Sequence, residues 1–92
     1  MTAKYTVHGE EEFWRAFYKL TEAEQDLVLA KIELLKEEGP FYRSLRSKKV
    51  RGYPGVFEFS VNMDIRVIWR YENGQIILML NVGHHDILRN FR

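Results

Sequence analysis

The sequence has no cysteine and only two prolines among its 92 residues. The absence of cysteine excludes disulfides and thiolate metal sites. Long apolar runs are also absent, since the longest uninterrupted aliphatic run, residues 76–80, is far too short to span a bilayer. Residues 1–14 lack the apolar stretch of a signal peptide. We therefore expect a soluble cytoplasmic protein with no membrane partner.

The composition is that of a globular chain, with 46% hydrophobic and 14% aromatic residues. A chain of this length forms one domain, residues 1–92, with a modest core. The net charge is only +1, but residues 1–40 carry −4 and residues 41–92 carry +5. A basic half of this kind is a candidate for binding phosphate, although scattered surface charge is the alternative.

Much of the positive charge lies in one stretch, which we call the basic segment. It has five cationic side chains in nine positions and no acid among them: Arg43, Arg46, Lys48, Lys49 and Arg51. Clustered cationic side chains are the electrostatic signature of a nucleic-acid surface. Tyr42 and Tyr53 flank the segment, and they suit either stacking on unpaired bases or ordinary packing.

Two helices are predicted in the first half of the chain. Residues 10–19 begin with three acids, which suit a helix N-terminus, and then place Phe13 and Phe17 at helical spacing. Thr21 and Glu24 form a capping-box pattern that opens the second helix. Gly39-Pro40 ends that helix. Its apolar side is predicted to hold Leu27, Val28, Ile32, Leu34 and Leu35.

Four strands are predicted, at residues 4–8, 56–61, 65–71 and 75–83. Asn73-Gly74 is typical of a type I′ hairpin turn. The last strand is apolar on both faces, as expected of a central strand. Asp86 is a predicted cap for a short final helix with Ile87, Leu88 and Phe91. The order β-α-α-β-β-β-(α) predicts an α+β fold, with a helical hairpin on a mainly antiparallel four-stranded sheet.

Charged side chains are predicted to share one face of this sheet. Alternation along the second strand places Phe57, Phe59 and Val61 on one side, and Glu58 and Ser60 on the other. The same alternation in the third strand puts Arg66 and Arg70 on the side of Glu58 and Ser60. An ordinary cross-strand ion pair between Glu58 and Arg66 is the plainer interpretation.

A histidine pair follows the last strand, at His84 and His85. By parity with Ile77 and Met79, His85 is predicted to reach the surface of Glu58 and Arg66. A carboxylate, a guanidinium and an imidazole beside a basic segment suit cleavage of RNA, which needs proton transfer and a fixed cation for the phosphorane. RNA supplies its own nucleophile, so no metal or cofactor is required. A metal site at His84, His85 and His8 is disfavoured because adjacent strand residues point apart.

The two helices, followed by KVRGYPGVFEFSV and IRVIWRYENGQIILMLNVGHHDIL, resemble the RelE/ParE superfamily of type II toxin–antitoxin toxins. The resemblance covers nearly the whole chain and rests on the order and spacing of motifs that are each short. It implies an mRNA interferase that cuts mRNA on the ribosome, leaves a 2′,3′-cyclic phosphate and is silenced by a cognate antitoxin.

By position, the resemblance implies that Arg66 steadies the transition-state phosphate and that His85 is catalytic. It also implies that Lys48, Lys49 and Arg51 form a basic rim on RNA. Glu58 and Ser60 stand where RelE carries two lysines, and Phe91, which can stack but cannot transfer a proton, stands where many members have a catalytic tyrosine. Acid–base work would then fall to His85 or His84, with Glu58 as the base or as the group that orients it.

Two other functions fit the same resemblance. ParE branches have lost the ribonuclease residues and poison DNA gyrase, and an inert module that binds only an antitoxin is the third possibility. The residues expected on RNA are Arg43, Arg46, Lys48, Lys49, Arg51, Ser60, Arg70 and Phe91.

Overall fold

The structure is a computed structural model that describes residues 4–85. Its elements are β1 (Thr6–Gly9), α1 (Glu11–Phe17), α2 (Glu22–Glu38), a short 3₁₀ helix (Arg43–Leu45), β2 (Lys48–Lys49), β3 (Val56–Ser60), β4 (Ile65–Asn73) and β5 (Ile76–His84). The predicted final helix and Phe91 lie outside the described residues.

The strands form one sheet in the order β1-β5-β4-β3-β2. The neighbouring pairs are antiparallel except β1 and β5, which run parallel. The predicted α+β fold with a mainly antiparallel sheet is confirmed, but the predicted count of four strands is wrong, because Lys48 and Lys49 pair with β3 as a fifth strand. Two lysines cannot display an alternating apolar pattern, and charged residues of this kind are typical of a sheet edge.

Both helices pack on one face of the sheet, which we call the helix face. The core there joins Phe13 and Phe17 of α1 to Val28, Ile32 and Leu35 of α2. Leu27 is 44% exposed, so its predicted place on the apolar side of α2 is wrong. None of the helices within residues 4–85 has the length and apolar character needed to cross a membrane.

The predicted capping box at the start of α2 is present. The main-chain N–H of Glu24 donates to Thr21 Oγ1 at 3.2 Å, and the N–H of Thr21 donates to Glu24 Oε1 at 2.9 Å. At the other end of α2, Gly39 adopts φ 90°, and a Cβ there would lie 2.9 Å from the Tyr5 ring. Glycine is therefore required where α2 ends.

An irregularity in β5 decides which way its last residues point. Ile68 pairs with Asn81 and Trp69 pairs with Met79, so Leu80 has no partner on β4 and forms a bulge. Met79 lies on the helix face with Trp69, whereas Asn81 lies on the opposite face, which we call the outer face. Beyond the bulge, the helix face therefore takes the even-numbered residues of β5.

Candidate functional site

Charged side chains from β3 and β4 meet on the outer face. Ser60 lies opposite Arg66 in the register, and Glu58 lies opposite Ile68. The ion pair of Glu58 and Arg66 is thus diagonal, with Oε1 and Nε 3.7 Å apart and only about 20% of each side chain exposed. Alternation alone placed these residues on one face, but it could not give the diagonal offset.

The Arg66 guanidinium is hydrogen-bonded to the turn between β3 and β4. Its Nη1 donates to the carbonyl of Asn62 at 2.8 Å, and to those of Met63 and Ile65 at 3.2 Å. Asn62 Oδ1 in turn accepts the N–H groups of Asp64 and Ile65. Within residues 4–85, Arg66 Nη2 has no hydrogen-bond partner, so two N–H donors remain for an anion.

Two cavities meet at Arg66. The first, of about 440 Å³, is lined by Met63, Asp64, Arg66, His84 and His85, and we call it the histidine cavity. The second, of about 280 Å³, is lined by Ser44, Arg46, Ser60, Val61, Asn62, Met63 and Arg66, and we call it the serine cavity. Because Arg66 and Met63 line both, the two cavities adjoin, and Arg66 forms part of the wall between them.

His85 lies at the mouth of the histidine cavity. It is exposed, and its main-chain N–H donates to the carbonyl of Asp64 at 2.7 Å. Three predicted residues thus line this cavity, Arg66, His84 and His85, while Glu58 contacts Arg66. In an unbroken strand, His85 would be in phase with Ile77 and Met79 and would face the helices. The bulge at Leu80 reverses the phase, which the alternation used to predict His85 did not include.

The His84 side chain lies on the opposite face of the sheet from Arg66. It pairs with Ile65 in the register, which places it on the helix face beside the start of α2. Its Nε2 lies 2.9 Å from Glu24 Oε2, with 43% of the His84 side chain and 24% of the Glu24 side chain exposed. Sequence reasoning found Glu24 only as a helix cap. Because His84 follows Glu24 by sixty residues, no local sequence pattern indicates that the two side chains are in contact.

The pKa of the Glu24 carboxyl group is lowered from its ordinary value of 4.5. The N–H of Thr21 lowers the pKa of Glu24 most, and the hydrogen bond with His84 lowers it further, against a smaller opposing effect of desolvation. The folded state therefore favours the charged carboxylate.

This shift predicts a pH-dependent loss of stability in Glu24→Gln. Because the pKa of Glu24 is lower in the folded than in the unfolded state, its carboxylate stabilises the fold above its unfolded pKa, and this is lost as the pH falls through the folded pKa. We expect Glu24→Gln to be less stable than wild type at pH 7. The gap between their free energies of unfolding should become smaller below about pH 4.5. Urea unfolding at a series of pH values measures the gap, and a constant gap contradicts the prediction.

The basic segment runs along the sheet edge beside the serine cavity. All five of its cationic residues are exposed. Arg46 lines the serine cavity, and Lys49 and Arg51 line a further cavity of about 460 Å³ with the turn at residues 50–55. Lys48 pairs with Glu58 and therefore shares its face.

Two other predicted residues line neither the histidine cavity nor the serine cavity. Arg70 is on the outer face opposite Leu78, and its Nη1 donates to the Tyr71 carbonyl at 3.2 Å. Tyr42 is 43% exposed at the start of the basic segment. No three His, Asp or Glu side chains among residues 4–85 lie close enough together to hold a metal ion.

The fold itself is a known one: a helical pair on one face of a five-stranded mixed sheet, as in the RelE/ParE-like toxins. The predicted resemblance to that superfamily is confirmed for the fold by the solved structures that match this chain. No protein-family model matches the sequence, and no curated protein matches it.

Three of the matching structures are toxins or toxin–antitoxin complexes. A RelB–RelE complex from Methanococcus jannaschii matches with a TM-score of 0.76 at 16% identity, over 92% of this chain and 98% of that chain. The DinJ–YafQ complex from E. coli gives 0.74 at 12% identity, over 92% and 97%. A YoeB/ParE toxin from Agrobacterium tumefaciens gives 0.71 at 15% identity, over 87% and 98%.

Proposed function

We propose that this protein is the toxin of a type II toxin–antitoxin system and that it cleaves mRNA on the ribosome. The observation that carries the proposal is the position of Arg66, which lines both the histidine cavity with His85 and the serine cavity with Arg46. An RNA strand that crosses Arg66 has an imidazole on one side and a second guanidinium on the other. The fold shared with RelE and YafQ supports the same function.

The reaction follows from the chemistry of RNA. The 2′-hydroxyl attacks the neighbouring phosphorus, the bond to the 5′-oxygen breaks, and a 2′,3′-cyclic phosphate and a 5′-hydroxyl result. His85 serves the proton transfers, because imidazole can both accept and donate a proton near neutral pH. Arg66 donates through Nη2 to the phosphorane oxygens, where charge builds up. No step requires a metal or a cofactor.

Glu58 holds Arg66 in this arrangement. Its carboxylate lies 3.7 Å from Arg66 Nε, while Nη1 is occupied by the turn carbonyls. Because the guanidinium is held at Nε and at Nη1, its Nη2 points in a fixed direction. This reduces the reorganisation needed when the phosphorane forms. Glu58 therefore acts as the group that orients Arg66, and His85 carries the proton.

The test uses translating ribosomes. Purified protein is incubated with them, and the 5′ ends of the mRNA are mapped. Wild type is expected to produce new 5′ ends bearing hydroxyl groups, and His85→Ala is expected to produce few. Absence of cleavage by wild type removes the proposal, and full cleavage by His85→Ala removes His85 from it.

Binding to RNA through the basic segment predicts a strong dependence on salt. For single strands, log K falls against log salt concentration by about 0.7 for each phosphate contacted. If each side chain contacts one phosphate, replacing Lys48, Lys49 and Arg51 by glutamine makes the slope shallower by about 2. Fluorescence anisotropy measures this slope on a 2′-deoxy oligonucleotide, which lacks the 2′-hydroxyl nucleophile and therefore stays intact.

The matched control for this measurement is Lys19→Gln, which removes an exposed lysine after α1, away from the basic segment. It should leave the salt slope as in wild type. Because the control removes one positive charge and the triple variant removes three, a change of slope in the control about one third as large would assign the effect to net charge and not to the basic segment.

A gyrase poison is the second candidate. Glu58 and Ser60 occupy the strand positions where the resemblance expects lysines in RelE, and one matching structure is named YoeB/ParE. A supercoiling assay separates the two functions. A gyrase poison traps cleaved DNA and leaves mRNA whole, whereas the proposed nuclease does the opposite.

A cognate antitoxin is the proposed protein partner in the cytoplasm. The Methanococcus RelE structure contains RelB, and the E. coli YafQ structure contains DinJ. A short reading frame for an acidic or DNA-binding protein beside the gene is the expected source. Induction of the toxin alone should arrest growth, and induction with that neighbour should restore it; unchanged growth in both cases supports an inert module.

A further inference from the structure

The contact between His84 and Glu24 joins the start of α2 to the end of β5, beside the histidine cavity. We propose that Glu24 and His84 are positioning residues: their hydrogen bond holds the end of β5 so that His85 stays beside Arg66. The inference rests on the proposed nuclease function for its kinetic consequence, and on the geometry alone for its structural one. We call this contact the Glu24–His84 tie.

The Glu24 end of the tie is fixed before His84 is considered. Glu24 Oε1 accepts the N–H of Thr21 at 2.9 Å, and the Glu24 main chain donates to Thr21 Oγ1. The carboxylate is therefore held by the first turn of α2, and Oε2 remains for His84 at 2.9 Å. Because the pKa of Glu24 is lowered, the carboxylate is ionised at neutral pH and can only accept, so His84 Nε2 must carry the hydrogen.

The His84 end acts on its neighbour through the backbone. His84 is on the helix face, and the next residue, His85, lines the histidine cavity with Arg66. The N–H of His85 donates to the carbonyl of Asp64, in the same turn that fastens Arg66. The end of β5 is thus held at two points, by α2 through His84 and by the turn through His85.

The tie is not needed to build the core. His84 and Glu24 keep 43% and 24% of their side chains exposed, and neither belongs to the hydrophobic core. We therefore expect loss of the tie to leave the apolar packing intact and to release the strand end. A catalytic group misplaced by about 1 Å can lose about 100-fold in rate, so a small displacement of His85 is enough to be measured.

The test compares His84→Gln with His84→Ala in single-turnover cleavage. Glutamine places an amide N–H near the position of Nε2, so it keeps the bond to Glu24 but cannot transfer a proton. We expect His84→Ala to lower the rate about 10-fold to 100-fold without changing affinity for the 2′-deoxy oligonucleotide. His84→Gln should retain the rate within about 3-fold, a bound set by one remaining hydrogen bond. Equal loss in both variants would make His84 a proton carrier and overturn the inference, as would a wild-type rate in His84→Ala.

A second readout does not depend on cleavage. Hydrogen exchange of the His85 amide, which donates to Asp64, should be faster in His84→Ala and Glu24→Ala and unchanged in His84→Gln. The control His8→Gln alters an exposed histidine on β1 and should change neither readout. If wild type does not cleave but the exchange pattern is as expected, the nuclease proposal alone fails. Unchanged His85 exchange in His84→Ala overturns the tie whether or not the protein cleaves RNA.

Discussion

Replacing Arg66 by alanine is expected to reduce mRNA cleavage by about 100-fold to 1,000-fold, the effect of removing one fixed donor to a developing oxyanion. Arg66 is the cation that lines both cavities, and its Nη2 is directed by two sets of contacts. Because these donors act on the transition state, the rate should fall while affinity for the 2′-deoxy oligonucleotide changes little. Single-turnover cleavage and anisotropy measure the two quantities.

Two variants make this result specific. Arg15→Ala removes an exposed arginine that pairs with Glu11 and Glu12 on α1, and it should cleave as wild type does. Arg66→Lys keeps the charge but cannot donate to the turn and to phosphate at once, so it should recover only part of the lost rate. Undiminished cleavage by Arg66→Ala would contradict the proposed mechanism. Because Arg66 also closes the turn, circular dichroism of the variant must match wild type.

Much of the outer face could be predicted from the sequence, because alternation in a half-buried strand is a strong pattern. Phe59 and Val61 are buried and in register with Val67 and Ile65, so Ser60 and Arg66, which lie between these pairs, must face outward. This alternation is a local property of each strand, since it depends only on the period of two and on one face of the sheet being covered. The order of the strands in the sheet does not affect it.

The features that sequence reasoning missed are those that depend on register and distant contacts. The bulge at Leu80 lies inside an unbroken apolar run, where neither a glycine nor a polar residue marks it. The Glu24–His84 tie depends on where α2 lies over the end of β5, which no short pattern encodes. β2 is two lysines long, too short for any periodicity.

These missed features change the chemistry assigned to the histidines. Both adjacent histidines at the strand end were candidates for proton transfer, and the resemblance favoured His85. Both histidines line the cavity, but His84 pairs with Ile65 beyond the bulge and its side chain contacts Glu24 on the helix face. One imidazole is therefore proposed as the proton carrier and the other as its support.

The site also depends on the core directly beneath it, and a large change in stability is expected at Phe59. This residue is fully buried between Glu58 and Ser60, and its burial fixes the alternation that turns both neighbours outward. Phe59→Ala should cost about 3–5 kcal/mol through lost burial and a cavity. A domain of this size has about 5–15 kcal/mol of stability in total, so much of the margin would be lost.

Phe41→Ala is the matched control, since the same substitution is made at a ring that is 59% exposed. Phe41 contacts Phe57 and Trp69 only edge-on, with ring centroids 5.8 and 6.1 Å apart. Phe41→Ala should lower the free energy of unfolding by about 1 kcal/mol, which is the scale of such aromatic contacts. Urea unfolding measures both variants. Equal losses would mean that burial beneath β3 does not hold Glu58 and Ser60 on the outer face.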